Sequence, residues 1–130
     1  MSYAIAGTSS LGFDETIQAT RDALAQQGFG VLTEIDMAAT LKQKIDADIP
    51  RYTILGACRP VFAVEALRIE PQIGVLLPCN VVVRKLADST VEVSAIDPQS
   101  MVEMTGNAEL AEIASDARDR LQRALAAVTK

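Results

Sequence analysis

Residues Thr90–Asp97 largely alternate apolar with polar side chains, Cys79–Leu86 repeats apolar residues at Cys79, Val81 and Val83, and only Ala87-Asp88-Ser89 separates the two stretches. A period of two belongs to a strand, and a short polar break between two such runs predicts a hairpin. Pairing Leu86 with Thr90 sets Lys85 against Val91, Arg84 against Glu92, Val83 against Val93 and Val81 against Ala95. One face is then mostly apolar, and the other carries an opposite-charge pair. A slip of one residue would turn the apolar set toward water, so the register is strongly specified. The same register sets Cys79 opposite Asp97. A sheet with one apolar face needs a second layer over it, which narrows the fold class before any other element is placed.

The rest of the chain supplies that layer. Tyr3 to Thr8 reads as a first strand. Phe13, Ile17 and Leu24 then recur at helical spacing between Gly12, with Glu15 three residues on, and Gly28, predicting a helix over 13–27. Val31, Thr33 and Ile35 alternate with Leu32, Glu34 and Asp36 in a second strand. Asp36 is placed to cap a short helix carrying Ala38, Leu41 and Ile45. Arg51 to Cys58 reads as a third strand with Tyr52, Ile54, Gly56 and Cys58 on one face. Pro60 suits the first position of a helix presenting Phe62, Ala66 and Ile69, which Glu70-Pro71 ends. Pro78 interrupts the next apolar stretch, so the ladder restarts near Cys79. Asn107 is placed to cap a long last helix with the stripe Leu110, Ile113, Ala117, Leu121, Leu125 and Val128. The order is strand, helix, four strands interrupted by short helices, then a helix. It predicts an α+β fold with an antiparallel sheet and its helices on one face, as a single domain over residues 1–130.

Composition removes much standard chemistry. The chain has no histidine. Ser-His-Asp and Cys-His nucleophile systems are therefore excluded in their usual form, as is histidine-ligated zinc. Its two cysteines cannot close a cysteine-only zinc site within one chain. With Lys+Arg at 12 and a net charge of -5, no stretch supplies the clustered positive charge that nucleic acid or an anionic membrane needs. The start, Met1-Ser2-Tyr3-Ala4, has no basic segment leading into an apolar run. No apolar run approaches the roughly 20 residues of a spanning helix. The expectation is a cytoplasmic protein, in which two cysteines are free thiols more often than a disulfide.

The candidate site residues follow from this placement. Cys58 ends a strand just before a predicted helix start, where the dipole and unpaired N–H groups favour thiolate. Cys79 begins a strand. If the third and fourth strands are antiparallel neighbours, both cysteines lie at one end of the sheet; if parallel, they lie at opposite ends. The plain alternative makes each a small core hydrophobe. Arg59 is either an anion-binding group beside Cys58 or a solvated charge. Asn80 is either a site amide or an exposed residue sharing a face with Arg84 and Glu92. Asp97 is either a carboxylate beside Cys79 or, before Pro98, a turn and capping residue.

Gly28-Phe29-Gly30-Val31, Ile35-Asp36, Ala39-Thr40-Leu41-Lys42, Ile54-Leu55-Gly56-Ala57-Cys58-Arg59-Pro60, Leu76-Leu77-Pro78-Cys79-Asn80-Val81 and Ile96-Asp97-Pro98 resemble, in order and spacing over residues 3–105, the "domain of unknown function 302" family. The chain looks like the branch carrying both cysteines. The resemblance implies a fold similar to the TATA-binding-protein-like, helix-grip class, with a curved antiparallel sheet, and it implies a homodimer. It implies no particular reaction. Many members have histidine after the aspartate matching Asp36, whereas this chain has Met37.

Three functional expectations result. The first is a homodimeric binding domain whose thiol site joins Cys58 and Cys79 with Arg59, Asn80 and Asp97. Its ligand is a small molecule or a soft metal ion held by Cys58 and Cys79, with no metal required for folding. The second is a thiol redox or sulfur-transfer enzyme in which Cys58 attacks. The third is an interaction module with inert core cysteines.

Overall fold

A computed structural model describes residues 2–130, leaving Met1 outside. The hairpin forms in the predicted register. Strand β4 (Cys79–Lys85) pairs antiparallel with β5 (Val91–Ile96), with Val83 against Val93, Arg84 against Glu92 and Lys85 against Val91. Ser89, at φ 70°, takes the left-handed position of the three-residue loop, and Leu86 N–H donates to the Thr90 carbonyl.

Three more strands complete one antiparallel sheet. They are β1 (Ala4–Ser9), β2 (Gly30–Asp36) and β3 (Tyr52–Cys58), and the spatial order is β1-β5-β4-β3-β2. Val81, Val83, Val91, Val93, Leu55 and Ala57 turn to one face and are buried. Removing a valine side chain from water is worth about 1.5–3 kcal/mol, so this face drives the layering. Two helices cover it: α1 (Phe13–Gln26) through Phe13 and Leu24, and the last helix, α5 (Ala111–Val128), through Leu121 and Leu125. A Schellman motif ends α1. Gly28, at φ 85°, gives its N–H to the Ala25 carbonyl, Phe29 N–H reaches Leu24, and both Leu24 and Phe29 are buried in the same core cluster.

A second core cluster lies toward the other end of α5. It joins Ala117 to Phe62 and Ala66 of α3 (Pro60–Ile69), and to Ile73, Cys79, Met101 and Leu110. Met101 belongs to α4 (Gln99–Thr105), a helix the periodicity does not predict because it is only seven residues long. Its local signals are the Asp97-Pro98 start and Gly106, which closes it at φ 66°. Asn107 does cap, but its side chain accepts from Glu109 N–H to open a 3-10 turn, Ala108–Leu110, so α5 begins later than the stripe suggests. Another 3-10 turn, Pro71–Leu76, lies between α3 and β4. Asp36 caps α2 (Met37–Ile45) as predicted, accepting from Ala39 N–H at 2.9 Å.

Strand β2 departs from simple alternation. Val31 pairs with Ala57 and Thr33 with Gly56, so Leu32 is the extra residue of a bulge and projects into solvent. Opposite it, Gly56 is a site of close approach. A Cβ there would run into the Thr33 hydroxyl and come within 2.8 Å of the Pro78 ring.

Gly56→Ala is therefore expected to cost about 1–3 kcal/mol in urea unfolding. Gly74→Ala is the control, since nothing lies within 4 Å of an added Cβ. It should stay within about 0.5 kcal/mol of the parent. Equal midpoints for the two variants would contradict the packing at Gly56.

Candidate functional site

The antiparallel pairing of β3 with β4 settles where the cysteines lie. Ala57 sits opposite Cys79 in the ladder, so Cys58 and Cys79 are one register step apart at the same end of the sheet. Alternation turns Cys79 with Ala57 toward the helices. Cys58 is the last residue of β3, where the chain turns through Arg59 into α3. Both thiols are free, and both line one pocket of about 280 Å³.

The walls of that pocket are apolar. Phe62, Ala63 and Leu67 come from α3, Leu77 and Pro78 from the approach to β4, and Leu32 from the bulge of β2. Each owes its place to a local device. Pro60 at the first helical position aims α3 across the sheet end. Gly56 leaves room for the Pro78 ring. The bulge leaves Leu32 without a ladder partner, at the border of the pocket. Sequence reasoning missed these walls. The available signal was α3 itself, Pro60-Val61-Phe62-Ala63-Val64-Glu65-Ala66-Leu67, which is apolar except at Glu65 although only Phe62 and Ala66 are buried.

The two thiols are unlike each other. Cys79 is buried, and burial pushes its thiol up to about 12, with the neighbouring Cys58 adding to the rise. It stays protonated at neutral pH and behaves as an apolar wall with a weak donor. Cys58 is half-buried, reaching the pocket from the edge. A thiol pocket of this kind offers sulfur and hydrocarbon to a ligand, and one cation at its border.

That cation is Arg59. Its side chain is only 18% exposed, so it is not the solvated charge of the simpler reading. It packs over Gly28 and faces Asp116 of α5 at 3.7 Å, and Asp116 also pairs with Arg120 at 3.0 Å.

Two residues expected at the site lie elsewhere. Asn80 faces the opposite side of the sheet, where it borders a hollow with Arg84 and Glu92. Asp97 does not face Cys79, because the β4–β5 ladder stops at Val81 against Ala95 and the Asp97 N–H turns instead to the Tyr3 carbonyl. The Asp97 carboxylate accepts from Gln99 N–H at 3.0 Å and from Arg118 Nε at 3.0 Å, which makes it the turn and helix-pinning residue of the plainer reading. Among the described residues no group of three His, Cys, Asp or Glu is placed to hold a metal ion. A soft ion in this pocket would have two sulfur donors from the chain, and Cys79 would have to lose its proton against the cost of burial. No helix among the described residues is long and apolar enough to cross a membrane.

The Cys79 shift has a consequence for stability. In the unfolded chain the thiol titrates near its ordinary value of 9.0, and in the folded protein near 12. Between these values the native state keeps a proton that the unfolded chain loses, so stability falls as pH rises through the window. From about pH 9 to pH 11 the parent should lose about 2 kcal/mol more than Cys79→Ala, read by urea unfolding at both pH values. Parallel losses in the two proteins would contradict the buried, neutral thiol.

Comparison with known proteins agrees with this architecture. No curated protein matches the chain. The solved structure titled "Crystal structure of uncharacterized conserved protein DUF302 from Bacillus stearothermophilus" is similar at TM-score 0.92 and 30% identity, covering 98% of this chain and 99% of that one. The family model described as "Domain of unknown function DUF302" matches residues 5–128. Nearly the whole fold described above lies within that match, and the chain belongs to the DUF302 family.

Proposed function

We propose that the chain is a homodimeric binding domain whose ligand site is the apolar pocket containing Cys58 and Cys79. The observation that carries this reading is the convergence of both cysteines on one pocket whose other walls are hydrocarbon. Small-molecule sites are concave, mostly apolar and furnished with a few polar or reactive groups, and this pocket has that make-up. The ligand class it suits is a small apolar molecule, with the half-buried Cys58 as the group it meets first. A metal ion suits it less well, because two sulfurs are the whole donor set and one is held protonated.

The dimer reading draws support from the pocket's surroundings. Val61 and Val64 of α3 are 63% and 64% exposed, and Leu32, Leu67 and Val75 are exposed as well. An apolar helix face left open to water marks a surface that a partner covers. A second copy seated on α3 would place the pocket mouth at or beside the interface, in a cytoplasmic protein with reduced thiols.

A second reading rests on the difference in burial between the two cysteines. Cys58 stands one residue before the Arg59 cap of α3 and Cys79 stays neutral, a division suited to a thiol redox or sulfur-transfer enzyme with Cys58 as the attacking group.

Native mass spectrometry of freshly purified protein tests the dimer and the ligand together. The expected spectrum shows twice the chain mass, with reduced cysteines and an added small-molecule mass that leaves on denaturation. Val64→Glu should raise the dimer dissociation constant at least tenfold, roughly the effect of about 1.4 kcal/mol, while leaving the circular dichroism spectrum unchanged. A monomer without added mass would sink the proposal, and persulfide or disulfide masses on Cys58 would turn it toward the enzyme reading.

A further inference from the structure

The face of the sheet turned away from the helices is not uniform. Three small side chains lie together on β1 and β5, Ala4, Ala6 and Ser94, with Ile96 of β5 opposite Ala4 and Val82 of β4 opposite Ser94. Larger residues stand around them, with Tyr52 on β3 at one side and Tyr3 at the other. The difference in side-chain size leaves an open hollow of about 470 Å³, within the range of ligand pockets. Asn80 and Cys79 are successive residues of β4 and turn to opposite faces, so this hollow and the thiol pocket are separate sites on the two sides of one strand.

The polar groups around the hollow are unspent. Among the described residues, no hydrogen bond engages the side chains of Tyr3, Tyr52, Asn80 or Ser94. The charged groups, by contrast, are committed to each other. Arg84 and Glu92 are the only charged lining residues, and they pair across the strands at 2.8 Å. The site therefore has no net charge to offer an ion. It presents two phenol rings, a flat floor of small side chains, an amide with both donor and acceptor, and a hydroxyl. Tyr52 is directly opposite Arg84 in the ladder, which keeps a cation beside its ring at the rim.

We propose that this hollow binds a neutral, planar heteroaromatic ring of nucleobase size, stacked against Tyr52 and hydrogen-bonded by Asn80 and Ser94. Flat rings suit a shallow floor between two aromatic rims, and ring nitrogens and exocyclic groups match an amide that both donates and accepts. Charged ligands are disfavoured, because Arg84 and Glu92 already neutralise each other and leave the lining without net charge.

The chain has two tyrosines and no tryptophan, and both tyrosines border the hollow. Tyrosine-ring NMR signals of the full chain are thus a local reporter. Adenosine is the probe, with ribose as the non-planar control. The expected result is a saturable shift of the Tyr52 ring with adenosine, half-complete at about 1 mM or below, and none with ribose; this affinity corresponds to about 4 kcal/mol. Asn80→Ala, an exposed position that should not disturb folding, should weaken it at least tenfold. Ala6→Leu, which fills the floor, should abolish it. No saturable shift up to about 10 mM, or an undiminished shift in both variants, overturns the proposal. So does a Tyr52 shift on dilution that tracks dimer dissociation, since the face would then be an interface between copies.

Discussion

The ladder between β3 and β4 is the constraint on which the rest depends. Its pairs Gly56–Asn80 and Ala57–Cys79 bring two segments, distant in sequence, to a common end of the sheet. That pairing needs a residue without a Cβ at 56, because Thr33 and Pro78 both crowd the position. Once it is made, Cys58 falls at the end of β3, two residues before α3, Cys79 falls into the second core cluster, and Pro78 becomes a wall of the pocket they share. Parallel pairing of the same strands would have separated the thiols by the length of the sheet.

Strand alternation then divides the chemistry between two faces. Toward the helices, burial holds Cys79 neutral, and the pocket beside it is nearly all hydrocarbon. Away from them, Asn80, Arg84 and Glu92 lie among small residues in a polar hollow. Two consecutive residues of β4 thus serve unlike environments. With no histidine anywhere in the chain, neither face has the usual neutral-pH proton carrier, which favours binding or thiol chemistry over acid–base hydrolysis.

What was legible in the sequence tracks how local the signal is. The hairpin register, the Asp36 cap, the Gly28 helix end and the Pro60 helix start are written in residues a few positions apart, and all of them form. The short helix Gln99–Thr105 escaped because seven residues carry too little period to read. The bulge at Leu32 escaped because it is defined by the pairing of β2 with β3, a strand more than twenty residues away. The Cys79–Asp97 pairing failed for a related reason: the register is right through Ala95, but β5 then serves β1, and Arg118 of a distant helix claims the carboxylate. The shared face of Asn80, Arg84 and Glu92 is legible from strand alternation, and the fold places that face away from the thiol pocket.

In the proposed function an apolar pocket controls access to two unlike thiols. Cysteine-resolved alkylation of the native protein near pH 8 tests it most directly, using an uncharged reagent such as N-ethylmaleimide and a charged one such as iodoacetate, each normalised to its rate on the urea-unfolded chain. The account predicts that Cys58 reacts first, that N-ethylmaleimide outpaces iodoacetate there by about tenfold after normalisation, and that Cys79 stays unmodified until the protein unfolds. Equal normalised rates for the two reagents at Cys58, or ready labelling of Cys79 in the folded protein, would contradict it.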